Sequence, residues 1–167
     1  MSRTSAIGFR GRWLWAHREG LQVLLALMVE AAAGRATSDD EPWFAAIVQQ
    51  WQVQASVADL GCTLDDSWSP EQLALVRDLI EGVRGELRAP DAAGRVLRPG
   101  WSVLDDLPVA GGVGTERVIE RVDEVADALL QLLDGRLPPN PPGAWWFVGT
   151  AEPEWRHIEM RSEPGRA

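Results

Sequence analysis

Three acidic pairs, two histidines, one cysteine, a buried-looking glutamate and a glycine-rich turn are the residues whose types and spacing could do chemistry. The pairs are Asp39-Asp40, Asp65-Asp66 and Asp105-Asp106. Neighbouring carboxylates can divide acid and base roles when burial raises one pKa. These pairs stand among Pro, Ser and Gly, so solvated turns and helix caps are the expectation. Asp105 and Asp106, in a long loop near Trp101, are the strongest candidates among them. His157-Ile158-Glu159 would put two metal ligands on one strand face, but the spacing is short of a full ligand set. No metal and no cofactor are expected. Cys62 lies in Gly61-Cys62-Thr63-Leu64-Asp65-Asp66. The adjacent acids disfavour a thiolate, so a small, half-buried turn residue is expected. Gly111-Gly112-Val113-Gly114-Thr115 before a helix has the outline of a phosphate loop. No Lys follows it, Arg117 breaks the glycine spacing, and Glu116 stands where phosphate would bind; a hinge or tight turn is the reading. Glu30 is the one charge within the apolar run 21–33. Either the helix surfaces there or an Arg pairs with it, since a lone buried carboxylate is costly.

The composition removes several function classes. All 16 cationic residues are Arg. Without Lys there is no Schiff base, P-loop lysine or kinase-type lysine. Arg to the exclusion of Lys also points to a GC-rich, bacterial coding sequence. The net charge is −9 and is unevenly placed: residues 1–35 carry +3 and residues 36–135 carry −12. That middle would repel nucleic-acid phosphate and an anionic membrane surface, and would attract a basic protein. Solubility is the ordinary use of such acidity. One cysteine excludes an internal disulfide and fits a reducing compartment. The run 21–33 is too short to span a bilayer. Ala31-Ala32-Ala33 imitates a signal-peptide cleavage site, but Glu30 and two tryptophans in the preceding stretch oppose it. A cytoplasmic protein is the expectation.

Nine tryptophans and no tyrosine are the most unusual feature. Trp13, Trp43, Trp51 and Trp145 read as core. Trp15, Trp68, Trp101, Trp146 and Trp155 fall in loops or on strand faces that solvent could reach. Exposed indoles near Arg and a polar rim have the composition of an interface anchor. Trp68, Trp101, Asp105, Asp106, Trp146 and Trp155 are therefore the interaction candidates. No catalytic residue is assigned.

The elements that would position these residues follow from periodicity. A first helix is expected over 12–33, although alternating residues in Phe9–Trp15 also suit a strand. A second is expected over 42–59, with Trp43, Ile47 and Trp51 on one face. Ser69-Pro70-Glu71-Gln72 is a capping-box start for a third, ending near Leu87. Residues 88–114 read as a long loop with a short strand or helical turn near 101–107. A fourth helix spans about 115–134. A Pro-rich connector at 137–143 leads to an expected hairpin at 144–161.

The reading is a single domain over 1–167. It is mainly α, with about four helices in a bundle-like core and a small C-terminal β-hairpin; α+β is the alternative label. In kind, as a small, acidic, Trp-rich chain without catalytic motif, it resembles the immunity proteins that neutralise polymorphic toxins. The resemblance is compositional and assigns no residue a role. It implies a non-enzymatic protein-binding domain with a basic partner. The alternatives are a small enzyme or ligand-binding domain with a pocket between helices, and a structural subunit, for which homo-oligomerisation would be natural.

Overall fold

The computed structural model describes residues 4–35, 42–57, 61–96, 98, 100–104, 107–108, 116–137 and 146–149. Its N-terminus is a hairpin. Strands β1 (Thr4–Phe9) and β2 (Arg12–His17) pair antiparallel with Ile7 opposite Leu14. The two-residue turn has Arg10 at φ 47° and Gly11 at φ 70°. Two positive φ values match the right-handed twist of the strands. The ambiguous stretch before the first helix is thus a strand, and helix α1 (Arg18–Gly34) begins six residues later than the periodicity suggested. The physical reason is the alternation itself. Ile7, Leu14 and Ala16 are fully buried on one sheet face. On the other face the Trp13 ring lies over Gly8, where an added Cβ would come within 2.8 Å of it.

Helix α1 is buried from Gly20 through Val29 and packs against helices α2 (Pro42–Ser56), α3 (Pro70–Leu87) and α5 (Glu116–Leu133). The molecule is helix-rich, with five helices among the described residues. The start of α3 is as expected. Gln72 N–H donates to Ser69 Oγ at 3.2 Å, and Ser69 N–H donates to Gln72 Oε1 at 2.8 Å. These bonds satisfy two of the amides that a helix start leaves open.

The expected loop 88–114 holds more structure than periodicity could reveal. It contains the five-residue helix α4 (Ala92–Val96) and two short strands, β4 (Ser102–Leu104) and β5 (Leu107–Pro108), which pair with an irregular register. The expected strand at the start of the C-terminal hairpin is present, and it has a partner that the sequence did not indicate. Strand β6 (Trp146–Gly149) pairs antiparallel with β2, with Trp15 opposite Phe147. Strand β3 (Cys62–Thr63) runs parallel to β1. The result is a four-stranded sheet in the order β3-β1-β2-β6. The second strand of the expected hairpin, 155–161, lies outside the described residues. Among the described residues, no helix is long and apolar enough to cross a membrane.

Candidate functional site

Of the six interaction candidates, only Trp68 and Trp101 have described side chains. Trp68 and Trp101 are 5% and 7% exposed and belong to the hydrophobic core, so the expectation of open indoles at these two positions does not hold. A large apolar ring in an irregular segment still gains more from burial than from solvent, provided its N–H finds a partner. Trp146 contributes backbone to β6, opposite Ala16. Asp105, Asp106 and Trp155 lie outside the described residues, as do Asp39, Asp40 and His157.

Trp101 belongs to a polar cluster centred on Glu30. Its indole Nε1 donates to Glu30 Oε1 at 2.8 Å. Arg98 donates to the same oxygen and stacks its guanidinium 4.6 Å from the centroid of the Trp101 ring. Glu30 is on α1, and Arg98 and Trp101 stand just before β4. Glu30 is therefore neither an isolated charge nor a free acid. Helix α1 surfaces there and an Arg pairs with it, with side-chain exposures of 31% and 38%. This is one carboxylate shared by a cation and an indole, an arrangement that fixes a segment in place. Nothing in the sequence pairs residues 71 positions apart; the lone charge in an apolar helix was the only signal.

Trp68 sits in a second cluster. It packs on Phe9, with ring centroids 6.3 Å apart. Arg10, in the hairpin turn, caps Phe9 at 4.8 Å and donates to the carbonyls of Asp66 and Trp68. Its backbone N–H donates to the Asp66 carboxylate. Asp65 accepts from the Ser67 hydroxyl at 2.6 Å and the Ser67 amide at 2.8 Å, which holds its carboxyl below the usual range. The Asp65-Asp66 pair thus builds a turn that ties α3's start to the β1–β2 hairpin, as expected of solvated turn acids.

Cys62, in β3 alongside β1, is buried in the core, and burial pushes its thiol up to about 12. At neutral pH it is a protonated thiol. The half-buried placement expected for it becomes full burial because Cys62 is a strand residue beside Ile7. His17 is buried at the end of β2. Among the described residues, no three His, Cys, Asp or Glu side chains are grouped to hold a metal ion.

The charges of α3 and α5 are sorted by direction. Arg84 reaches across to α5, with Nε 2.9 Å from Asp123 and Nη1 2.8 Å from Asp127. Arg88 reaches Asp123 at 3.5 Å, and Arg77 pairs with Asp134 beyond the end of α5. Arg121 of α5 pairs with Glu19 of α1 at 3.3 Å. Glu71, Asp78 and Glu81 instead lie exposed along the outer face of α3, beside Ala74, Gly82 and Gly85. In the α1–α2 seam, Gln22 donates to the Val57 carbonyl at 3.3 Å. Among the described residues, the buried Gln22 Oε1, Gln54 Oε1 and Trp51 Nε1 have no hydrogen-bond partner. No protein family, curated protein or solved structure matches the chain.

Proposed function

We propose that the chain is a non-enzymatic protein-binding domain, in kind an immunity-type neutraliser of a bacterial toxin or a similar adaptor, that engages a basic protein through the outer face of α3. One observation carries this reading. Arg77 and Arg84 of α3 pair with carboxylates on and just after α5, while Glu71, Asp78 and Glu81 are exposed. Three acids of the middle segment are thereby displayed on one helix face. Such a field steers a cationic partner and raises its association rate, and salt weakens it. The test is affinity capture from the native cell followed by reconstitution from purified components. The reading requires a basic partner that binds directly and binds less tightly to a Glu71→Lys, Asp78→Lys, Glu81→Lys variant. A purified partner that binds both proteins equally contradicts it.

A second reading, a small-ligand site between helices, is favoured by the buried amide oxygens of Gln22 and Gln54 and the Trp51 N–H. Buried polar atoms of this kind are ordinarily matched by a partner. A metabolite screen by thermal shift tests it: a ligand-specific rise in Tm that Gln22→Leu abolishes would support it. A flat profile across the screen would count against it.

A further inference from the structure

Helix α2 and the residue after it, 42–57, contain no Asp, Glu, Lys, Arg or His. The inward stripe of Phe44, Ile47, Trp51 and Ala55 is buried. The opposite stripe is exposed: Pro42, Ala46, Gln49, Val53 and Val57, at spacings of four, three, four and four. Val57 N–H donates to the Val53 carbonyl at 2.9 Å, so the helical geometry reaches it. Val53 and Val57, 37% and 39% exposed, are the large hydrophobics that solvent reaches most among the described residues. The outer face of a surface helix ordinarily carries charge, as that of α3 does here. We propose that this stripe docks a second copy of the chain, with the two α2 helices antiparallel across a twofold axis between Gln49 and Gln50.

Charge selects the occupant. Each copy carries −9, so two copies repel wherever their acidic faces meet. On the α2 stripe neither copy presents a charge, and no ion loses its hydration on docking. A basic partner finds nothing there to pair with. The order of residues along the stripe selects the twofold. Antiparallel pairing about residues 49 and 50 sets Val53 over the small Ala46 and Val57 over Pro42, and symmetry makes each contact twice. The glutamines meet at the axis, where one amide can donate to another that accepts. A stripe roughly 22 Å long and one helix wide offers a few hundred Å², short of the roughly 800 Å² per partner of a stable complex. The dimer is therefore weak, with a Kd of about 0.1 mM.

Self-association uses a different face from the α3 docking surface, and salt separates the two. Screening relieves the repulsion between like-charged copies and strengthens the dimer, whereas it weakens docking of a cation on α3. The test is sedimentation equilibrium of the full chain from about 1 μM to about 1 mM, at low and high salt. The wild type should pass from monomer to twice that mass, at lower concentration in high salt. Ala46→Glu and Val53→Arg, both at exposed positions, should keep the wild-type Tm and each weaken self-association by about tenfold or more. An equimolar mixture of the two variants should recover association, because the twofold sets the introduced carboxylate against the introduced guanidinium. A wild type still monomeric at about 1 mM would overturn the proposal. So would a dimer that neither variant weakens, or a mixture that associates no better than its components.

Discussion

Arg84 holds two carboxylates of a neighbouring helix with one guanidinium. Burial alone would lower its pKa, but its hydrogen bond to Asp123 and the charges of Asp123, Asp127 and Glu81 outweigh that and raise it. The side chain is only 14% exposed, so the pairs are shielded from solvent more than ordinary surface pairs. Arg84→Ala leaves Asp123 with Arg88, and Asp127 with the Gln131 amide at 2.6 Å. Those substitutes moderate the loss, which should be about 1–2 kcal/mol in urea denaturation. Cys62 makes a prediction of opposite kind. Its folded pKa, about 12, is raised above the ordinary value of 9.0. The folded state then holds the proton that the unfolded state releases between those values. Stability from this residue is complete below pH 9.0 and falls as pH rises toward 12. Urea midpoints should decline over that range in the wild type and decline less in Cys62→Ala. At neutral pH a thiol reagent should label Cys62 only after unfolding. The residue scale is also where the sequence was least informative. The burial of Trp68 and Trp101 depends on Arg10 and Glu30, partners 58 and 71 positions away, and no local spacing encodes them.

Helix α3 was legible because its start and its stripe are local. Ser69, Pro70 and Gln72 specify the cap, and Val76, Ile80, Val83 and Leu87 are all buried as the 3.6-residue period requires. Ser69→Ala should cost about 1 kcal/mol of stability by thermal or urea melting, since it removes the Oγ that accepts from the Gln72 N–H while leaving the Ser69 N–H bonded to Gln72 Oε1. Gly82 and Gly85 lie on the exposed side, with nothing near the position a Cβ would take. Each Gly→Ala change should stabilise the protein by roughly 0.5–1 kcal/mol, through helix propensity alone. The opposite sign is expected at Gly61, where a Cβ would stand 2.8 Å from the Ala6 carbonyl oxygen. Backbone cannot yield there as a side-chain tip can, so Gly61→Ala should lower Tm measurably. The β1–β2 hairpin was half legible. Its alternation was visible, but the turn is Arg-Gly rather than the usual Asn-Gly, and the apolar helix that follows directly hides the boundary. The pairing of β6 with β2 joins segments more than 125 positions apart, which only tertiary packing decides.

At the scale of the whole molecule, the fold class was legible in outline and the sheet was not. Helix content follows from composition and period, whereas the order β3-β1-β2-β6 joins the N-terminal hairpin to two distant segments of the chain. The candidate site was legible only as charge. A middle segment at −12 announced a negative surface, but which acids face outward is fixed by where α3 sends its arginines. That sorting makes the proposed docking face of α3 sensitive to salt and to charge reversal, while the fold beneath should tolerate both. Circular dichroism of Glu71→Lys, Asp78→Lys, Glu81→Lys should accordingly match the wild type. The most direct measurement is a calorimetric titration of this triple variant and the wild type with the purified basic partner at low and high salt. Wild-type binding should weaken with salt, and the variant's affinity should be about 100-fold lower, as three reversed contacts of roughly 1 kcal/mol each imply. Binding that neither salt nor the three reversals change would contradict the proposed docking face.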